Sequence, residues 1–307
     1  MAWFSYHGGH SGEFCGHAKG KLEPVVQRAI EAGFTHYGLS EHCPRYRDQD
    51  LYVDEAALGM TPASLAETFR AYIDEAFALR ERYADRIQVL VGFETERLPP
   101  GDWHARMREL RALAPFEYVI GSVHDVDGVW VDYKREVTEE LAERVGGRAR
   151  LQALYFDAVA DMVGTLKPEV VGHIDLIRKF EGDGASIDPA AWPHLEAALE
   201  AVRAAGAALD VNSGAFRRGL SPVYPLPAIL QRARQMGVGV TLGDDGHGAH
   251  DVGVGLDACL RALADAGYRE LRYLARERDG AAGLGSPATW RSVAIEEVRP
   301  RELYERF

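Results

Sequence analysis

Seven of the chain's eleven histidines, His7, His10, His17, His42, His124, His173 and His247, fall at the ends of predicted strands or in the loops just after them. Glu94 and Asp245 sit in the same kind of place. Imidazole and carboxylate donors together suit zinc, iron or manganese, whereas a calcium site would be all oxygen. So many loop-borne donors make sense if two or three cations lie about 3.5 to 4 Å apart, with a carboxylate such as Glu94 bridging a pair. Such a cluster lowers the pKa of bound water and neutralises the oxygens of a transferring phosphoryl group, so the chemistry expected is metal-dependent hydrolysis. Asp245 and His247, two residues apart, can leave one loop toward the same cation. Both are also candidates for delivering the proton that a departing alkoxide needs, and Asp244 is assigned to the turn that supports them.

Cationic side chains lie near these donors. Arg178 and Lys179 follow His173 by five and six residues, and Arg217 and Arg218 follow Asn212-Ser213-Gly214. A guanidinium offers a two-pronged fork to phosphate, which makes Arg178 and Arg217 candidate phosphate ligands, with Asn212 beside them in substrate binding. Lys179 and Arg218 read as surface charge. Glu13, Phe14, Arg45 and Tyr46 are loop residues close to ligands and are candidates for recognising the rest of the substrate. His36, His104, His194 and His250 lack the strand-end context and read as ordinary core or surface residues.

Placing these donors together requires a particular scaffold. Amphipathic helical runs alternate with short apolar β-rich runs along the chain. Helix 21–33 precedes strand 34–40, helix 62–84 precedes strand 87–93, and helix 102–114 precedes strand 118–123. Helix 139–163 then precedes strand 170–172, helix 189–206 precedes strand 207–211, and helix 226–237 precedes strand 238–243. Near-continuous apolar strands separated by helices predict a parallel sheet covered by helices. A closed barrel is favoured over an open sheet, because its strand ends share one rim on which residues far apart in sequence converge. The segments 179–188 and 279–287 read as loops rather than linkers, and one barrel absorbs about 250 residues as a single core. The expectation is therefore one domain over residues 1–307.

Composition narrows the class further. With 47% hydrophobic and 27% charged residues the chain is ordinary globular protein. A net charge of −12 without a Lys/Arg stripe argues against nucleic-acid binding. No run approaches the roughly 18 apolar residues of a membrane helix, and the first residues carry no basic, apolar export signal. Cys15, Cys43 and Cys259 have no CxxC spacing, so neither a disulfide framework nor a thiolate zinc site is expected, and a reducing cytoplasm fits best.

The segments His10-Ser11-Gly12-Glu13-Phe14-Cys15-Gly16-His17-Ala18, Ser40-Glu41-His42, Gly92-Phe93-Glu94 and Gly121-Ser122-Val123-His124 form an ordered series. It continues through the run from Gly172 to Phe180, Asn212-Ser213-Gly214, and Gly243 to His247. Together they resemble the histidinol-phosphatase branch of the polymerase-and-histidinol-phosphatase (PHP) superfamily, from about position 5 to position 258. The resemblance implies a distorted (β/α)7 barrel of the TIM-like PHP type with its active site at the C-terminal strand ends. It also implies three divalent metal ions (zinc, iron or manganese) and hydrolysis of L-histidinol phosphate to L-histidinol and phosphate. On that pattern His10, His17, His42, Glu94, His124, His173, Asp245 and His247 are ligands, and Arg178 in the GHxDLIRKF stretch lies near the substrate phosphate.

One departure stands out. The family's first two histidines are separated by one residue, and here Gly8-Gly9 separate His7 from His10. A bulge at the glycines would bring His7 back to the metal. Two other readings follow from the same residues: a related phosphoesterase acting on another small phosphomonoester or a nucleotide, and a metal-binding protein without turnover.

Overall fold

The computed structural model describes residues 2–182, 185–217, 223–277 and 288–298, with the backbone alone for Phe216 and Arg217. In chain order the strands are β1 (Phe4–Ser5), β2 (His36–Leu39), β3 (Gln88–Val91), β4 (Ile120–Gly121), β5 (Asp125–Val126) and β6 (Val129–Trp130). They continue with β7 (Val170–Val171), β8 (Ala208–Asn212), β9 (Gly239–Gly243), β10 (Glu270–Ala275) and β11 (Thr289–Ala294). Two parallel sheets, β1-β2-β3 and β4-β7-β8-β9, carry the architecture, so the chain is an α/β protein. Glu94 makes bridges to His42 on one side and to Ile120 on the other. At the opposite edges the Tyr6 N–H donates to the Leu242 carbonyl at 3.0 Å.

The helices form where the periodicity predicts them. Leu22–Glu31 turns Leu22, Val25, Val26 and Ala29 inward, the i, i+3, i+4 spacing of an amphipathic helix. Pro62–Arg82 opens at Thr61, whose side chain accepts from the Ser64 N–H in a capping box, an arrangement worth about 1 kcal/mol. A single helix over 139–163 is not what forms. Gly146 (φ 103°) and Gly147 (φ 111°) separate Arg135–Val145 from Arg148–Leu166, because two consecutive residues with positive φ cannot continue a right-handed helix.

Strand 118–123 shortens to β4 for a local reason. The Val119 N–H is taken by the Glu169 carboxylate at 2.9 Å and the Ser122 N–H by the Thr95 hydroxyl at 3.1 Å, so side chains replace the ladder. The antiparallel β5-β6 and β10-β11 hairpins and helix Leu256–Asp265 are absent from the sequence reading. The connection 279–287, like Arg218, lies outside the described residues. Among the described residues, no helix is long and apolar enough to cross a membrane.

Candidate metal centre

Every parallel strand delivers its chemistry just past its C-terminal end. His7 follows β1 by two residues, His42 follows β2 by three, Glu94 follows β3 by three and His124 follows β4 by three. His173 follows β7 by two and Asp245 follows β9 by two, while Asn212 closes β8. His10 arrives because its N–H donates to the Gly246 carbonyl at 3.1 Å, tying the first loop to the last.

The Gly8-Gly9 pair does what the departure demands. Gly8 adopts φ 145°, and a Cβ there would stand 2.3 Å from Asp244 Oδ1; at Gly9 (φ 75°) it would stand 2.7 Å from Leu39 Cδ2. Only glycine fits either place, and the resulting turn points His7 Nε2 at Glu94 Oε1, 3.2 Å away. Asp245 itself has φ 51°, a conformation that costs a non-glycine residue on the order of 1–3 kcal/mol and is characteristic of functional loops.

Glu94 is the hub. It is 1% exposed. Imidazole nitrogens of His7, His42, His124 and His173 stand 3.1 to 3.4 Å from its carboxylate, and His10 Nε2 is at 3.8 Å. Burial acts to raise its pKa, but His7 and His42 outweigh that and hold the carboxyl well below the usual range. In turn, burial pulls His7 and His124 down, and carboxylates overcome it: Glu94 and Asp210 for His7, Glu96 and Glu94 for His124. Both imidazoles are held well above their ordinary value. The centre therefore draws positive charge to itself. Burial, reinforced by His10, instead holds His42 and His247 well below theirs, leaving neutral rings with lone pairs to offer.

A second layer of carboxylates orients the rings. His7 Nδ1 meets Asp210 at 2.7 Å, His10 Nδ1 meets Glu41 at 3.0 Å and His124 Nδ1 meets Glu96 at 2.8 Å. His17 Nδ1 meets Asp54 at 3.2 Å. A carboxylate can only accept there, so each ring carries its proton on Nδ1 and turns Nε2 inward, the orientation typical of metal-binding histidines.

The donor chemistry fits divalent cations by an independent criterion. His7 Nε2, His10 Nε2, both nitrogens of His42, both oxygens of Glu94 and His173 Nδ1 are buried without a hydrogen-bond partner. Buried polar atoms are rarely left so. Groups of donors within 4.8 Å of one another include His7–His10–Asp245, His7–Glu94–His173 and Cys15–His17–His42–His247.

Above the hub lies a cavity of about 450 Å³, lined by His17, His42, Glu94, His124, His173, Asp245 and His247. Its other walls include Tyr52, Asp54, Trp130, Asp132, Tyr133, Leu176 and Lys179. Several of the expected residues stand outside this lining. Arg178, 2% exposed, is absent from the lining: its Nε donates to Asp175 at 2.6 Å, its Nη2 to the Val223 carbonyl at 2.5 Å, and its plane lies 4.3 Å over the Tyr224 ring. Lys179, read as surface charge, lines the cavity with its Nζ on Asp132. A short 3-10 turn at Leu176–Arg178 sends the two neighbours in different directions.

Asn212 does not line the cavity either; its Nδ2 donates to Asp210 at 2.8 Å, behind His7. Arg217 ends the short helix Gly214–Arg217. Glu13, Phe14, Arg45 and Tyr46 are likewise outside the lining. Glu13 accepts from the Leu22 N–H and Arg45 pairs with Glu55. Sequence reasoning missed Asp210, Glu96, Asp54, Tyr52 and Trp130. Two of these left a trace, since Glu96 and Asp210 each stand two residues from a recognised position.

The PHP domain family matches residues 7–214 of this chain. The chain belongs to the PHP family. A Schizosaccharomyces pombe protein assigned as a histidinol-phosphatase is 34% identical over 276 residues, covering 88% of this chain and 89% of its own length. The Saccharomyces cerevisiae histidinol-phosphatase is 28% identical over 302 residues, with 87% and 90% covered. Among solved PHP-like structures, the Lactococcus lactis histidinol phosphate phosphatase, crystallised with zinc, L-histidinol and phosphate, superposes with a TM-score of 0.68 at 22% identity. It covers 88% of this chain and 95% of its own.

Proposed function

We propose that this PHP protein is a histidinol-phosphatase, hydrolysing L-histidinol phosphate to L-histidinol and phosphate with three divalent cations. The observation that carries this reading is the Glu94 carboxylate, buried, unpartnered and ringed by imidazoles beneath a cavity of about 450 Å³. A cavity of that size suits a small ligand. The relatives' name supplies the substrate.

His7, His10, Glu94, Asp245, His124 and His173 would hold the inner cations, and His17, His42 and His247 the outer one. When bound, such cations supply an activated water and neutralise charge on the phosphoryl oxygens. The chain's own residues do the rest. Asp210, Glu41, Glu96 and Asp54 keep the rings aimed. His247 commits its Nδ1 proton to the Asp245 carbonyl at 2.8 Å, so it has none to transfer; the Asp245 carboxylate is assigned to take the proton released by the attacking water and pass it to the departing alcohol. Asp132 and Asp54, with the rings of Tyr52 and Trp130, suit the cationic and flat half of the substrate, and Lys179 suits its phosphate. Arg178 acts as a brace for Asp175 and Tyr224.

The same reading makes the two parallel sheets one closed (β/α)7 ring, supported by the Glu94 bridges and the Tyr6–Leu242 hydrogen bond. It makes residues 1–307 a single domain and places the enzyme in the cytoplasm, acting on a small phosphate ester. The test is phosphate release from histidinol phosphate after complete chelation. Activity lost on stripping and restored by zinc or manganese supports the assignment; turnover undiminished without metal overturns it.

A further inference from the structure

We propose that Cys15 is a fourth ligand, with His17, His42 and His247, to the outermost cation, which makes that position a nitrogen-and-sulfur site suited to zinc. The inference rests on the reading that the centre holds cations.

The four donor atoms lie within 4.8 Å of one another, and Cys15 Sγ is 3.4 Å from His17 Nε2. A tetrahedral zinc with Zn–S about 2.3 Å and Zn–N about 2.0–2.1 Å holds its sulfur and nitrogen roughly 3.5 Å apart. The observed separation is a hydrogen-bond contact, and it is also the separation that two donors sharing one ion would keep. The tautomers agree with it. His17 presents its Nδ1 proton to Asp54 and His247 presents its own to the Asp245 carbonyl, so each turns an unprotonated Nε2 toward the site.

His42 is the second observation. Its side chain is only 9% exposed, with Nδ1 facing Glu94 Oε2 at 3.1 Å, and its Nε2 has no hydrogen-bond partner. A buried polar atom left without a partner is unfavourable, and a shared cation would satisfy it.

The backbone is built to present the thiol. The Cys15 N–H donates to the Ser11 carbonyl at 2.9 Å and the Ala18 N–H to the Cys15 carbonyl at 3.2 Å, holding Cys15 and His17 on one tight turn. Between them Gly16 admits Asp54: a Cβ there would lie 2.6 Å from Asp54 Oδ2, the carboxylate that orients His17. Cys43 and Cys259 are also buried and free, and neither belongs to a donor group among the described residues. Soft thiolate beside imidazole favours zinc over manganese. On binding, the S–H bond breaks, an S–metal bond forms and the proton passes to solvent, with no change of oxidation state.

The experiment loads chelator-stripped full-length protein with Co²⁺ and records its near-ultraviolet absorption. A sulfur-to-cobalt charge-transfer band is expected in the wild type and in the Cys43→Ser/Cys259→Ser double variant, whose sole cysteine is Cys15. Cys15→Ser is expected to lose the band and to weaken one zinc per chain by more than the roughly 10- to 100-fold that losing an outer-shell partner costs. Should Cys15→Ser not fold, the double variant decides alone. Cobalt bound without the band, or a band that survives Cys15→Ser, overturns the proposal. Metal binding and phosphate release without sulfur ligation would leave the phosphatase assignment standing, whereas failure to bind any metal removes both.

Discussion

The inner and outer halves of the centre are built from the same residue types and held in opposite ways. Around Glu94, the rings of His7, His10 and His124 are each fixed by a buried carboxylate, Asp210, Glu41 or Glu96. At the rim, His17 is 39% exposed and rests on Asp54, itself in partial contact with solvent. Charge buried at low dielectric interacts strongly and relaxes little, while an exposed pair is screened and mobile. On the proposed reading the inner half is thus a preformed receptacle for positive charge, and the outer half is where an ion would enter, leave or be exchanged.

That contrast can be broken. Glu94→Gln removes the charge that the inner rings face. Turnover of histidinol phosphate is expected to fall by at least about 100-fold, beyond the cost of losing an outer-shell partner, with far-ultraviolet circular dichroism unchanged. A near-native rate would take Glu94 out of the centre. Asp210→Asn replaces the buried carboxylate that faces His7 with a neutral amide and is expected to weaken metal binding toward the upper end of the roughly 10- to 100-fold range, measured by competition with a chromophoric chelator. Asp54→Asn makes the matching change at the rim, where solvent substitutes for the lost contact, and is expected near the lower end of that range. Equal losses in the two variants would erase the distinction between the halves. Thr61→Ala, at a helix cap remote from both, is expected to lower stability by about 1 kcal/mol in urea denaturation and to leave metal affinity untouched.

Much of this was legible in the chain because strand-end position is a one-dimensional property. His7, His42, Glu94, His124, His173 and Asp245 announce themselves by following apolar runs, and the parallel sheet follows from the same runs. What stayed hidden depends on direction. Arg178 and Lys179 are adjacent, yet one stacks on Tyr224 behind the wall and the other reaches the cavity; nothing in their spacing says which. Cys15 lacks a second cysteine to form a recognisable pair, and its nearness to His42 and His247 emerges only once the first loop has turned. Asp210 reads as a buried strand residue until His7 is seen against it, 203 positions away. The Gly146-Gly147 break was in plain sight and was outweighed by the apolar periodicity on either side.

The measurement that bears most directly on the centre is anomalous scattering from crystals grown with zinc and recorded on either side of its absorption edge. The account predicts metal peaks within coordination distance of Glu94, His7 and His173 and a further peak beside His17, His42 and His247. Crystals without such peaks, grown from protein that still releases phosphate from histidinol phosphate, would contradict it.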